Sequence, residues 1–326
     1  MPKIFVTRRI PERGLDLLYT AFGKEAVTVA PQDNAITRSD LLAGVRGMDA
    51  LLCILTERID AELLDAAGPQ LRIVANYAVG YNNIDIAAAT ARKIPVSNTP
   101  GVLTETTADL AWTLLVSAAR RVTEGERYLR AGRWESWGPT LLMGQDIHGA
   151  TLGIYGMGRI GQAMAERARG FQMRVIYTDV VRLPEERERE LNVSYVDMTT
   201  LLKDSDFISI HCPLMPETTH AFSTKEFAAM KPTAVLVNSA RGPVIDEPAL
   251  AEALKQGQIF SAGLDVYEDE PTIHPDLLAC ENVVLLPHLG SASFETRSRM
   301  AEIAASNIVA RLQGQTPPTC VNPEVL

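Results

Sequence analysis

The chain has 326 residues, 46% of them hydrophobic and 22% charged, a composition that excludes a disordered chain and, at this length, predicts two domains rather than one core. Its 40 acidic and 31 basic side chains leave a formal charge of -9, which repels a phosphate backbone and argues against nucleic acid as a partner. Cys53, Cys212, Cys280 and Cys320 stand far apart without a C-x-x-C pair, so neither a zinc site nor a disulfide framework is expected and a reducing compartment fits. The stretch after Met1 lacks an apolar leader, and no later apolar run approaches the ~20 residues that span a bilayer, so a cytoplasmic protein without a membrane partner is expected.

Taken in chain order, short β-rich runs alternate with amphipathic stretches: Lys3 to Val6, Ala26 to Val29, Asp49 to Ile54, Leu71 to Ala75 and Pro95 to Ser97. That rhythm predicts parallel strands joined by crossover helices. Asn98-Thr99-Pro100-Gly101 is a breaker cluster, and a long helical pattern from Gly101 to Arg130, with Leu110, Leu114 and Leu115 on one stripe, marks a junction between domains. A second series follows at Thr151 to Tyr155, Arg174 to Thr178, Phe207 to Ile210, Ala234 to Val237, Ala262 to Leu264 and Val283 to Leu286, six strands that suit a dinucleotide-binding sheet. A last long helix, about Ser291 to Gln313, can return to the first domain. The expected architecture is therefore α/β, with two Rossmann-like or flavodoxin-like domains and an active cleft between them: residues 1-100 with 289-326 for substrate, and 101-288 for the cofactor.

Gly156-Met157-Gly158-Arg159-Ile160-Gly161 directly follows an apolar strand and opens the helical run Gln162 to Arg169. Glycines there permit a tight turn and close approach to a pyrophosphate, while the helix N-terminus offers N–H groups to the anion. A lone glycine motif is weak, but Asp179 ends the next strand, where a carboxylate binds ribose hydroxyls and repels a 2'-phosphate. NAD(H) is thus expected over NADP(H), with Arg182 as a nearby charge that partly offsets the repulsion.

Hydride addition to a ketone makes an alkoxide, so the site needs an acid that works near neutral pH, and histidine suits. His288 follows the final apolar strand, at the carboxyl end where open α/β sheets bind ligands. His211 also follows a strand, whereas His148, His220 and His274 have loop-like surroundings. Glu270 is a candidate to orient the His288 ring, with Glu268 and Asp269 as alternatives that spacing leaves open. Arg241, directly after the strand Ala234 to Val237, can grip a carboxylate and a carbonyl oxygen with one planar fork.

Gly-Met-Gly-Arg-Ile-Gly, Asn-Ser-Ala-Arg-Gly, Gly-Leu-Asp-Val-Tyr-Glu-Asp-Glu-Pro and Leu-Pro-His-Leu-Gly-Ser-Ala occur in that order, and the whole chain resembles the D-isomer-specific 2-hydroxyacid dehydrogenases. It is most similar to their glyoxylate/hydroxypyruvate reductase branch, notably at Arg133-Trp134-Glu135-Ser136-Trp137 and Met230-Lys231-Pro232-Thr233. The resemblance implies Arg241, Glu270 and His288 as catalytic residues and decides against Glu268 and Asp269. It implies a substrate loop at Ala78-Val79-Gly80, so that Val79, Gly80, Arg241 and His288 bind substrate. It places the cofactor on Thr104, Gly156, Gly158, Arg159, Ile160, Gly161, Asp179, Pro213, Ser239, Ala240, Arg241, Asp265, His288, Gly290 and Ser291. It also implies a homodimer, with Trp134 or Trp137 reaching towards the partner. Val79 and Glu270 stand where phosphite and formate dehydrogenases of the family carry lysine and glutamine, and Asp179-Val180 replaces the serine-arginine pair of NADPH-using relatives. Rival readings are a dehydrogenase for a bulkier acid, such as 2-ketogluconate, 3-phosphoglycerate or D-lactate, and an NAD(H)-sensing corepressor. Pocket size is expected to depend on Leu52, Ile54, Leu141 and Met143.

Overall fold

Five short parallel strands, β1 (Ile4–Val6), β2 (Val27–Val29), β3 (Ala50–Cys53), β4 (Ile73–Asn76) and β5 (Val96–Ser97), form one sheet in the order β2-β1-β3-β4-β5. Their residues are almost continuously apolar because helices cover both faces. Phe5, Leu51, Cys53 and Val74 pack on one side with Leu63 and Leu64. Ile4, Val6, Leu52, Ile73 and Ala75 pack on the other with Leu15, Leu18, Ala301, Ala304, Ala305 and Ile308. The last four belong to the helix Phe294–Leu312, whose N-terminus is capped by Ser293 accepting from the Thr296 N–H. The terminal helix therefore joins the first sheet because its small and apolar residues recur at helical spacing along the face it buries.

The second sheet has seven parallel strands: β6 (Thr151–Tyr155), β7 (Arg174–Thr178), β8 (Val193–Tyr195), β9 (Phe207–Ile210), β10 (Val235–Asn238), β11 (Ser261–Leu264) and β12 (Val283–Leu285), ordered β12-β11-β10-β9-β6-β7-β8. The order reverses between β6 and β9, which creates the switch point where the carboxyl ends of an open α/β sheet receive a ligand. The structure describes residues 1–31 and 34–326. These divide into two compact units, Met1–Leu103 with Ser291–Leu326, and Thr104–Gly290. No described helix is long and apolar enough to cross a membrane.

Three expectations require correction. The second sheet has seven strands rather than six, because Val193-Ser194-Tyr195 pairs with β7 at the sheet edge, with Val193 buried and its two neighbours exposed. The pattern from Gly101 to Arg130 is not one helix but two, Thr104–Ala119 and Val122–Arg130. The break falls at Arg121, whose φ of 52° lies in the left-handed region and whose side chain pairs with Glu124 and reaches the Met143 carbonyl. Leu52 is fully buried within the sheet, so it cannot shape a pocket, whereas Leu141 and Met143 are exposed.

Candidate active site

The glycine loop sits at the carboxyl end of β6. Gly156 has a φ of 98°, and a Cβ there would stand 2.5 Å from the Cys212 backbone nitrogen, so both conformation and crowding require glycine. The helix Arg159–Ala168 then starts without any side-chain cap at Gly158, which leaves its first N–H groups to an outside acceptor and its positive end uncovered. Asp179 closes the loop from below: its carboxylate accepts from the Met157 N–H at 2.6 Å and the Val181 N–H at 3.1 Å. Arg182 does not stand free beside it. It makes two hydrogen bonds to Glu188, at 2.9 and 2.8 Å. Glu188 also accepts from the Tyr177 hydroxyl at 2.6 Å, and these partners, Arg182 first, pull its carboxyl down to about 2.

The catalytic candidates come from the ends of three adjacent strands. His288, just past β12, is held in the left-handed region at φ 53°, a conformation imposed by Asp265 at the end of β11. The fully buried Asp265 accepts from the Leu289 N–H at 2.6 Å and the Gly290 N–H at 2.8 Å, while its carbonyl accepts from the His288 N–H at 3.0 Å. Burial pushes the Asp265 carboxyl above its ordinary value, against the pull of those amides and of His288. The carbonyl of Gly290 in turn accepts from the Thr107 hydroxyl at 3.0 Å, so the turn carrying His288 is fixed on both sides.

His288 Nδ1 lies 2.8 Å from Glu270 Oε2. The other carboxylate oxygen, Oε1, accepts from the Tyr267 N–H at 3.1 Å, and Tyr267 is itself tied through its hydroxyl to the Leu286 carbonyl at 2.9 Å. Burial raises the Glu270 pKa, but the hydrogen bond and charge of His288, the Tyr267 amide and the charge of Arg241 together bring it below the usual carboxylate value. Arg241 follows β10, with one guanidinium nitrogen donating to the Ala240 carbonyl at 2.7 Å and its backbone carbonyl accepting from Asn238 Nδ2 at 2.9 Å. Its neighbour must be glycine: a Cβ on Gly242 would stand 1.8 Å from the Tyr267 carbonyl carbon, so the turn after β10 could not lie against the Tyr267 to Glu270 segment. Burial lowers the Arg241 pKa and Glu270 opposes that shift.

The alternatives have other employment. Glu268 accepts from the Glu247 N–H at 2.7 Å and lies 3.3 Å from His220. Asp269 pairs through its backbone with Thr272. His211 is bonded through Nε2 to Ser209 at 2.7 Å, while its Nδ1 is enclosed without a partner although part of the residue stays accessible. Burial drives its pKa down to about 3, so it stays neutral and cannot deliver a proton at ordinary pH. His274 caps a helix by accepting from the Asp276 N–H. Among the remaining predicted cofactor residues, Ser239 carries a buried hydroxyl with no partner, and such an orphan at a strand end fits a polar ligand group. Pro213 is exposed beyond β9, and Thr104 begins the helix Thr104–Ala119. Among the described residues no cluster of three metal-ligating side chains occurs.

In the first unit, Val79 and Gly80 follow β4. The Val79 carbonyl accepts from Asn98 Nδ2 at 2.8 Å and the Gly80 carbonyl from Asn76 Nδ2 at 2.9 Å. Asn76 and Asn98 had carried no role in the sequence reading. Asn98 was legible only as part of a breaker cluster, and nothing in spacing reveals a side chain that bonds a loop about twenty residues away in the chain. Tyr267 was likewise visible only as part of a motif.

A glycine-rich loop and a sheet switch point, together with residues suited to a dinucleotide, define the class as a dinucleotide-dependent oxidoreductase. Residues 112–290 match the family model for the D-isomer specific 2-hydroxyacid dehydrogenase, NAD binding domain. The glyoxylate reductase of Korarchaeum cryptofilum is 53% identical over 328 residues, covering 100% of this chain and 97% of that one. Among solved structures, a glyoxylate reductase from Paecilomyes thermophila is 33% identical with a TM-score of 0.86, covering 99% of this chain and 100% of its own. The NADPH-dependent glyoxylate/hydroxypyruvate reductase of Sinorhizobium meliloti, in complex with NADP and malonate, is 34% identical with a TM-score of 0.84, covering 99% and 97%. The chain belongs to the D-isomer specific 2-hydroxyacid dehydrogenase family, and its second unit is an NAD(P)-binding domain.

Proposed function

We propose that the chain reduces a small 2-oxo acid, glyoxylate or hydroxypyruvate, to the D-2-hydroxy acid, with NADH as donor and His288 as general acid. The observation that carries this reading is the His288–Glu270 contact of 2.8 Å beside Arg241. Bound nicotinamide supplies the hydride. Glu270 engages Nδ1, which leaves Nε2 to give its proton to the substrate oxygen, and Arg241 offsets the negative charge that grows on that oxygen. Val79 and Gly80 receive the carboxylate on their backbone N–H groups. The first unit is thereby the substrate domain and the second the cofactor domain. In the reverse direction His288 takes the proton back. Relatives named glyoxylate reductases, full-length and about half identical, favour the small acids over bulkier ones.

The preference for NADH is supported by two arrangements. Asp179 keeps a carboxylate beside the glycine loop, bonded to the Met157 N–H, where its charge would repel a ribose 2'-phosphate, and the cation able to compensate, Arg182, is already committed to Glu188. A homodimer is supported by the segment 122–143, which exposes Val122, Leu129, Trp134, Trp137, Leu141 and Met143, since so many large apolar groups on one stretch of a water-soluble chain mark a surface that a partner covers.

The test is the loss of NADH or NADPH absorbance with glyoxylate, hydroxypyruvate, 2-ketogluconate and pyruvate. Expected is the highest kcat/KM with a two- or three-carbon acid and NADH, and a fall in kcat of about 10² to 10⁴ in His288→Ala. Turnover confined to the bulky acids, or retained in that variant, removes the proposal.

A further inference from the structure

The loop after β4 is held by three consecutive carbonyls. Ala78 O accepts from the Thr99 N–H at 2.9 Å, Val79 O from Asn98 Nδ2 at 2.8 Å, and Gly80 O from Asn76 Nδ2 at 2.9 Å. These peptides are trans, the Glu270–Pro271 bond being the cis one, and in a trans peptide the C=O and N–H point in opposite directions. Each anchored carbonyl therefore turns the next residue's N–H away from the scaffold. Thr99 directs the Val79 amide, Asn98 the Gly80 amide and Asn76 the Tyr81 amide. Among the described residues none of these three N–H groups donates to a protein acceptor, and Val79 and Gly80 are only partly buried, so their amides are left open to a ligand.

The two asparagines are built for this task. Asn76 is fully buried and Asn98 nearly so. Asn76 is braced by Asn83, their amides exchanging bonds of 3.3 and 3.4 Å, and by the Cys53 thiol at 3.5 Å. Asn83 in turn reaches the Ile54 carbonyl at 3.2 Å and the Glu57 carbonyl at 3.1 Å, so side-chain amides add to the backbone bonds, such as Ile59 N–H to the Asn83 carbonyl at 2.8 Å, that lock the loops after β3 and β4 together. We infer that Asn98 and Asn76 are positioning residues: Asn98, through the Val79 carbonyl, directs the Gly80 amide outward, and Asn76, through the Gly80 carbonyl, fixes the far end of the same turn, so that the Val79 and Gly80 amides stand as a preformed receptor for the substrate carboxylate. The inference rests on the reading that those amides receive the carboxylate. Because their direction is set before substrate arrives, little ordering is left to be done on binding.

Two measurements separate this inference from the reading beneath it. Oxamate, an unreactive analogue that keeps the carboxylate and carbonyl, is added to the wild-type NADH complex, and the amide resonances of Val79 and Gly80 are followed. Glyoxylate kinetics are then compared in Asn98→Leu and Asn76→Ser. Expected are shifts of both resonances, a KM raised by about 10- to 100-fold in Asn98→Leu and about 3- to 10-fold in Asn76→Ser, with kcat within about threefold and the Kd for NADH within about twofold, as loss of one charge-assisted hydrogen bond implies. Should Asn98→Leu not fold, Asn98→Ser carries the same expectation. Shifted resonances with an unchanged KM in both variants overturn the positioning role and leave the carboxylate reading standing. A KM rise matched by equal losses in kcat and NADH affinity also overturns it, since that is the mark of general disruption. Absence of any shift at Val79 and Gly80 removes the carboxylate reading and the positioning role with it.

Discussion

Replacing Glu270 with glutamine tests the proposed acid directly. Glutamine matches glutamate in shape and retains an oxygen for the Tyr267 N–H, but it presents an NH2 group to His288 Nδ1 where a carboxylate oxygen stood at 2.8 Å. Two donors then face each other unless the ring gives up its Nδ1 proton, so the protonated ring required for reduction loses its partner. A hydrogen bond to a charged group contributes about 1.5 to 3 kcal/mol, and 1.4 kcal/mol is a factor of ten, so kcat for glyoxylate reduction near neutral pH should fall by about 10- to 150-fold. The sign follows from the charge lost: the carboxylate supports the proton-donating form of the ring, which reduction uses, so reduction should lose more than the reverse reaction. Oxidation of the hydroxy acid needs the neutral ring and should suffer less at alkaline pH. The assay is kcat in both directions from about pH 5 to 9, with NADH affinity as a control for folding. An undiminished kcat for reduction in E270Q, or equal losses in both directions at every pH, would refute the assignment of Glu270 as partner of the acid.

The enclosed His211 predicts an acid-sensitive fold. Burial holds its folded pKa at about 3, below the ordinary histidine value of 6.5, so the unfolded chain takes up a proton that the folded chain refuses; the loss begins as pH falls below 6.5 and is complete near 3. By pH 5 this one group costs about 2 kcal/mol of stability, and urea unfolding at pH 7 and 5 should show a shallower decline in His211→Gln than in the wild type; parallel declines count against it. Combining Asp179→Ser with Glu188→Gln removes the repelling carboxylate and frees Arg182, so kcat/KM with NADPH should rise at least about tenfold relative to NADH, and an unaltered ratio would show that discrimination lies elsewhere. If the segment 122–143 is covered in a dimer, Leu129→Glu with Trp137→Glu should shift the sedimenting species from dimer towards monomer, because two charges cannot be buried unpaired; an unchanged mass places the interface on another surface.

Local patterning carried most of the architecture. Strands buried on both faces read as apolar runs, and the β6 run, the glycine motif and Asp179 share one stretch of chain, so the α/β class and the cofactor loop were visible from sequence. Arg241 and His288 stood out as candidates just beyond apolar runs, whereas spacing left Glu268, Asp269 and Glu270 open and the family resemblance alone chose Glu270. The edge strand Val193–Tyr195 was too short and too polar on its exposed positions to stand out, and the break at Arg121 depends on contacts with Glu124 and the Met143 carbonyl rather than on any helix-breaking residue.

Tertiary structure supplies the physical reason why one carboxylate rather than its neighbour meets the His288 ring. Glu268 and Glu270 are two residues apart in the same acidic run, yet one is bound to Glu247 and His220 and the other to Tyr267 and His288. It also decided that His211 is neutral, that Arg182 is occupied, and that Asn98 grips a carbonyl of a loop it adjoins only in space. Periodicity along a chain reports which face of an element is buried, because burial repeats with the element's own pitch. It is silent on hydrogen bonds between segments far apart in sequence, whose partners are chosen by how the strands are ordered in the sheet.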